Sequence, residues 1–165
     1  MNDTVAPFEM PVWDPCPFCE LAAGRIENRH IINATEKTLT IVNPRQFEIG
    51  QLLVITRRHA PTLLDLTDDE AVEILNKVRT AAEALMKTFN LDGITVYQNN
   101  GVISLQEVPH YHIHVVPRRK SGDWGAGPPH IAALHPKSPE AKQKVTVPWE
   151  RAIEIATLVK PNFEE

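Results

Sequence analysis

A chain of 165 residues with 42% hydrophobic content has room for one compact domain with a sizeable core plus tails, and too little for two full domains. Its formal charge of −4 at pH 7 argues against a general nucleic-acid binder, which carries a clear basic excess, although a local basic patch could still hold one phosphate. The opening Met1–Pro7 has no cationic start followed by an apolar run, and no stretch is long and apolar enough to span a bilayer, so a cytoplasmic protein without nucleic-acid or membrane partners is expected.

A tail over residues 1–12 leads to Cys16-Pro17-Phe18-Cys19 and then Glu20-Leu21-Ala22-Ala23-Gly24, a turn of helix ended by glycine. His30-Ile31-Ile32-Asn33 and Thr38-Leu39-Thr40-Ile41-Val42 flank polar residues and predict a hairpin, closed by Asn43-Pro44. Leu52–Thr56 reads as the next strand. Thr67-Asp68-Asp69-Glu70 has the form of a capping box, and Ala71, Leu75, Val78, Ala82, Leu85 and Phe89 then recur at three- and four-residue steps, which predicts the main helix with one apolar face on the sheet. Gly93–Tyr97 is a further strand and Asn99-Asn100-Gly101 a turn. From Lys120 onward glycines and prolines crowd the chain into a loop or arm, after which Trp149, Ala152, Ile153 and Ala156 share one face of a short helix that begins near Pro148 and stops before Pro161. The fold class is α+β: an antiparallel sheet of about five strands with one long helix and short terminal helices. Its parts are a tail (1–12), a domain (13–119) and an arm with a terminal helix (120–165).

The most informative stretch is Val108-Pro109-His110-Tyr111-His112-Ile113-His114-Val115-Val116. Side chains alternate along a strand, so the three imidazoles point one way, spaced by roughly 6–7 Å. A core does not favour such a row, because each buried ring has two nitrogens needing partners, and near neutral pH each ring can act as base, nucleophile or metal ligand. Tyr111 and Ile113 face the other way and belong to the core. Cys16 and Cys19 are too close to staple a fold, and no strand precedes them as a thioredoxin-like redox pair would require. Structural zinc needs four ligands, so two histidines would have to join them, with His30, His59, His110, His130 and His135 all eligible.

The run His110-Tyr111-His112-Ile113-His114-Val115-Val116 resembles in full the His-φ-His-φ-His-φ-φ motif (φ apolar) of the histidine triad, or HIT, superfamily. Asn43-Pro44, Gly50-Gln51-Leu52-Leu53-Val54-Ile55, Arg58-His59, Asn99-Asn100-Gly101 and Gln106-Glu107-Val108 follow the family's order and spacing, so the resemblance covers about Cys16 to Arg119. It implies a HIT-like fold, usually a homodimer, and hydrolase or transferase chemistry on the α-phosphate of a nucleotide such as a purine phosphoramidate or dinucleoside polyphosphate. By position His112 matches the nucleophile that forms a nucleotidyl-histidine. His114, Asn99 and Gln106 match phosphate contacts, with Glu107 beside them, and Asn43 matches the ribose ligand. Zinc-bearing bacterial relatives imply a structural zinc on Cys16, Cys19, His59 and His110. The chain departs from the family pattern at four places: Asn43 replaces Asp, Gln51 replaces His, Leu105 replaces Gly, and Glu107 replaces Ser or Thr, putting a carboxylate where an anionic substrate would sit.

Two other readings remain at this level. Strand histidines could instead chelate a catalytic ion with an open position, or the site could bind nucleotide without turnover. Arg57, Arg58, Arg118, Arg119 and Lys120 could draw in a polyphosphate, and Trp13 and Trp124 could stack on a base; solvated strand ends and packing of the tail or loop are the plainer uses.

Overall fold

The computed structural model describes residues 8–122 and 145–163. In chain order these form α1 (Pro17–Ala22), β1 (Ile31–Ala34), β2 (Thr38–Val42), β3 (Arg45–Gln46), β4 (Leu52–Thr56), α2 (Asp68–Thr88), β5 (Gly93–Tyr97), β6 (His112–Arg118), β7 (Val145–Thr146) and α3 (Trp149–Val159). Five strands pair antiparallel in the order β1-β2-β4-β6-β5, and β3 pairs with β7 in a separate two-stranded ladder. The expected α+β class and five-stranded sheet are present. Expectations that fall on 123–144, including those for Trp124, His130 and His135, lie outside the described residues. No described helix is long and apolar enough to cross a membrane.

Two apolar clusters sandwich the sheet. On one face Leu52, Val54, Ile113 and Val115 meet Ile74, Val78, Ala81 and Leu85 of α2 and Ala152, Ile155, Ala156 and Val159 of α3. On the other, Leu39, Ile41, Leu53 and Ile55 are covered by Leu21 of α1, with Phe18 against them. Strands β2, β4 and β6 are buried along their whole length, because both faces are covered. They therefore read as largely apolar runs.

Both helix phases differ from the sequence expectation. On α2 the buried stripe is Ile74, Val78, Ala81 and Leu85, whereas Leu75 is 64% exposed. Apolar residues occupy both candidate stripes, which share Val78 and Leu85, so periodicity alone could not choose between them. Ala81 and Ala84, fully buried, bring the helix backbone close to the sheet. On α3, Ile155 is buried in place of the expected Ile153, and Trp149 is 43% exposed. The capping box forms as expected: the Thr67 hydroxyl accepts from the Glu70 N–H, and the Glu70 carboxylate accepts from the Thr67 N–H.

Because α3 joins the main core through one face only, Ile155→Ala should lower stability to urea by about 2–5 kcal/mol, while Leu158→Ala, at a 53% exposed position, should change it by less than about 0.5 kcal/mol. Unfolding curves followed by circular dichroism check this contrast.

Candidate active site and metal centre

Strand β6 delivers its side chains alternately to the two faces. Ile113 and Val115 enter the α2 core, while His112 and His114 stand opposite Ile55 and Leu53 of β4, on the face carrying α1. The strand begins at His112, so His110 lies just before the ladder instead of within it. His112 Nδ1 lies 2.7 Å from the carbonyl oxygen of His110. A carbonyl only accepts, so Nδ1 carries a proton, and in the neutral ring Nε2 carries the lone pair. The rings of His112 and His114 meet edge to face at 5.0 Å. Tyr97, the cross-strand partner of His114 on β5, stacks flat on it at 4.2 Å and 9°. Burial holds the Tyr97 phenol well above its ordinary pKa.

A cavity of about 300 Å3 opens beside these two rings. Asn43, Glu107, His112 and His114 line it together with Arg45, Val108 and Trp13. Its remaining wall is apolar, with Phe18, Leu21, Ile26, Ile41 and Leu53, closed by Trp149 and His30. Trp149 and His30 are in ring contact at 4.9 Å. Burial depresses the His30 pKa, so this ring stays neutral. Arg45 Nη1 pairs with the Glu107 carboxylate at 3.4 Å, the Arg45 N–H donates to Asn43 Oδ1 at 3.0 Å, and Trp13 Nε1 donates to the Glu107 carbonyl at 2.7 Å.

Asn99 and Gln106 do not line the cavity. Gln106 is buried, its oxygen accepting from the Gly101 N–H and its NH2 donating to the carbonyls of Pro61 and Val108. Asn99 Nδ2 reaches the Leu105 carbonyl at 3.4 Å. Leu105 itself sits at φ +63°, the one left-handed non-glycine among the described residues, a conformation costing a side-chain-bearing residue about 1–2 kcal/mol. This explains physically why a glycine would suit the position.

Behind Phe18 a second cluster forms. One ligand atom each from Cys16, Cys19, His59 and His110 lie within 4.8 Å of one another. Cys19 Sγ is 3.3 Å from His59 Nδ1 and 3.6 Å from His110 Nδ1, and Cys16 Sγ is 3.5 Å from His110 Nδ1. The other nitrogen of His110, Nε2, faces the Thr56 carbonyl at 2.8 Å, so it carries the proton and Nδ1 points its lone pair at the sulfurs. Burial lowers the His110 pKa to about 4, and burial together with the Cys16 thiol raises that of Cys19 to about 11. Phe18 packs edge-on against both His110 and His112, at 5.6 and 5.3 Å, and so separates this cluster from the cavity.

The HIT domain profile matches residues 25–121, which include every one of these histidines. The chain belongs to the HIT-domain family. It is 32% identical over 127 residues to the bifunctional bis(5'-adenosyl)-triphosphatase/adenylylsulfatase FHIT of Arabidopsis thaliana, covering 77% of this chain and 70% of that one. It is 34% identical over 109 residues to the adenosine 5'-monophosphoramidase HNT1 of Saccharomyces cerevisiae, covering 65% and 66%. It spans only 28% of the longer NitFhit fusion protein of Caenorhabditis elegans, to which it is 34% identical over 126 residues. A zinc-bound histidine triad family protein from Mycobacterium smegmatis shares the fold, with a TM-score of 0.69 at 24% identity over 91% of this chain and 94% of that one.

In this HIT-domain chain the cations flanking the strands serve the scaffold. Arg57 donates to the carbonyls of Thr35 and Ala22, and Arg118 to Thr95. Arg119 donates to the Ile49 carbonyl, and Lys120 pairs with Asp92. Arg58 makes two bonds to Glu70, whose carboxyl it holds down at a pKa of about 2, tying the segment that carries His59 to the start of α2. None of the five lines the cavity; Arg45, which sequence reading passed over, does. Trp149, expected only on a helix face, and His30, eligible only as a metal ligand, meet at the cavity because tertiary packing brings them together.

The Cys16, Cys19, His59 and His110 cluster could hold a metal ion. A tetrahedral ion with bonds of about 2.0–2.3 Å requires ligand atoms about 3.3–3.8 Å apart, and the sulfur–nitrogen separations Cys16–His110, Cys19–His59 and Cys19–His110 fall in that range. Metal analysis of the purified chain should find about one equivalent bound, and Cys16→Ser should lose it; unchanged content in the variant would reject this ligand set.

Proposed function

We propose that this chain is a nucleotidyl hydrolase or transferase acting through His112 on purine nucleoside phosphoramidates or dinucleoside polyphosphates. The observation that carries the reading is the 2.7 Å bond from His112 Nδ1–H to the His110 carbonyl, which leaves a nucleophilic Nε2 on a ring lining a nucleotide-sized cavity. In the proposed reaction Nε2 attacks the α-phosphorus and a nitrogen–phosphorus bond forms. The bond to the leaving amine or phosphate breaks, and its electron pair departs with the leaving group, which takes up a proton. Water then attacks the same phosphorus, the nitrogen–phosphorus bond breaks, its electron pair returns to Nε2, and the water proton is released.

The other residues take supporting roles. His114 faces the phosphate oxygens as a donor where charge builds up. Asn43, its oxygen already held by the Arg45 N–H, offers chiefly its NH2 donors to the ribose. Phe18, Leu21, Ile26, Ile41 and Trp149 provide apolar area for a base. Arg45, paired with Glu107, offsets the repulsion between that carboxylate and an anionic substrate. Asn99 and Gln106 act from behind the wall, Gln106 by fixing the loop that carries Glu107. A catalytic ion on the strand histidines fits less well, since His112 gives its Nδ1–H to a carbonyl and His110 turns towards the sulfurs.

For the metal centre the proposed ion is zinc, in a structural role, because a set of two thiolates and two imidazoles gathered within 4.8 Å suits it. Free cysteines of this kind accord with the reducing cytoplasm. The proposed assembly is a homodimer. Val72, Leu75 and Met86 of α2, Val96 of the sheet-edge strand β5, and Ile103 are exposed apolar side chains that a second copy would cover.

With substrate labelled at the α-phosphate, rapid quench should trap acid-labile label on the protein. His112→Asn should abolish it and lower kcat by about a thousandfold or more; turnover without labelled enzyme would overturn the covalent route. Light scattering after gel filtration should give twice the chain mass, and Leu75→Glu should shift it to the chain mass; a monomeric parent would reject the dimer.

A further inference from the structure

Gln51 immediately precedes β4 and is completely buried, yet it does not line the cavity. Its backbone is fixed on both sides: its N–H donates to the Glu48 carbonyl at 3.1 Å, and its carbonyl accepts from the Asn43 N–H at 2.9 Å. The nitrogen and oxygen of a side-chain amide have the same shape, so their assignment must come from the partners. One end of the Gln51 amide lies 2.9 Å from the Phe47 N–H, which can only donate. That end is therefore the oxygen. The other end, the NH2, lies 2.9 Å from His114 Nδ1. Tyr97 stacks flat on the His114 ring, at 4.2 Å and 9°.

We propose that Gln51 is a positioning residue that holds His114 in the tautomer with its proton on Nε2, so that the ring presents a donor to the substrate phosphate. A donor opposite Nδ1 requires Nδ1 to accept, and a neutral imidazole that accepts at one nitrogen donates at the other. Without that partner the ring would exchange between tautomers, and only one of them can donate to a phosphate oxygen. The amide cannot turn over, because rotation would set its NH2 against the Phe47 N–H and its oxygen against the His114 lone pair. Gln51 stands where the family motif carries histidine. A histidine here could accept as well as donate and would titrate near neutrality, whereas a glutamine donates at every pH. His112 and His114 thus have opposite tautomers on one strand face, the first set by a carbonyl and the second by an amide NH2. One ring offers a lone pair and the other a proton to the same phosphorus centre, which is what attack on a phosphate monoanion requires.

This assignment of a role rests on the reading of the cavity as a nucleotide site, but the tautomer itself does not. Long-range proton–nitrogen correlation spectra of histidine-labelled protein, with His114 assigned by its absence in His114→Asn, should show Nε2 protonated and Nδ1 bare in the ligand-free chain. In Gln51→Glu one carboxylate oxygen still accepts from Phe47 and the other replaces the NH2 with an acceptor, so the ring proton should move to Nδ1. In that variant kcat should fall about a hundredfold with KM changed less than about threefold, and Gln51→His, able to donate again, should recover kcat to within about tenfold of the parent. A parent spectrum with the proton on Nδ1 overturns the proposal without any variant having to fold, as does Gln51→Glu retaining the Nε2–H tautomer. If the tautomers behave as stated while no nucleotide is turned over, the nucleotide reading fails and the positioning by Gln51 stands.

Discussion

Strand β6 is buried along its length, and its pairing with β4 on one side and β5 on the other fixes the direction of every side chain it carries. A shift of one residue in either ladder would send His112 and His114 into the α2 core and bring Ile113 and Val115 to the cavity. Register is thus the constraint on which the site depends, and it is held by apolar packing on both faces, with α2 and α3 against one and α1 against the other. The placement of His112 and His114 needs no strained backbone within the strand. Such strain as exists among the described residues sits in the loop before it, at Leu105.

His110 joins two centres with different chemistry. Its Nδ1 faces the sulfurs of Cys16 and Cys19, its Nε2 is held by the Thr56 carbonyl of β4, and its own carbonyl receives the Nδ1–H of His112. The ring that belongs to the cysteine–histidine cluster and the carbonyl that sets the His112 tautomer are parts of one residue. Holding the ring in place therefore also holds the peptide that orients His112. Phe18, set between the two cysteines in sequence, fills the gap between the centres and keeps the cluster from opening onto the cavity.

The cavity divides its chemistry by wall. Groups that donate, accept or carry charge include Asn43, Arg45, Glu107, His112 and His114, while the rest of the wall is mostly apolar, with His30 beside Trp149. A ligand with an anionic end and a flat apolar end matches this division. The carboxylate of Glu107 on this wall does not stand alone, since Arg45 reaches it from the start of β3. An exposed pair of this sort contributes little to stability, so its value lies in the local field at the mouth of the site.

Local chemistry written into the sequence determined the strands, the capped main helix, the alternation that sets His112 and His114 apart from Ile113, and the Cys-x-x-Cys pair awaiting partners. Each of these depends on residues a few positions apart, where backbone geometry converts spacing directly into direction. The family pattern extended this to His59 and His110 as companions of the cysteines. Tertiary structure alone decided which of two overlapping stripes on α2 and α3 is buried, since both were apolar and only the opposing surface could choose. It also decided that Trp149 and His30, more than a hundred residues apart, close one cavity, that Gln106 spends its amide on backbone groups, and that the NH2 of Gln51 meets His114. These contacts arise between elements brought together by packing, and no periodicity within a segment records what another segment will place against it.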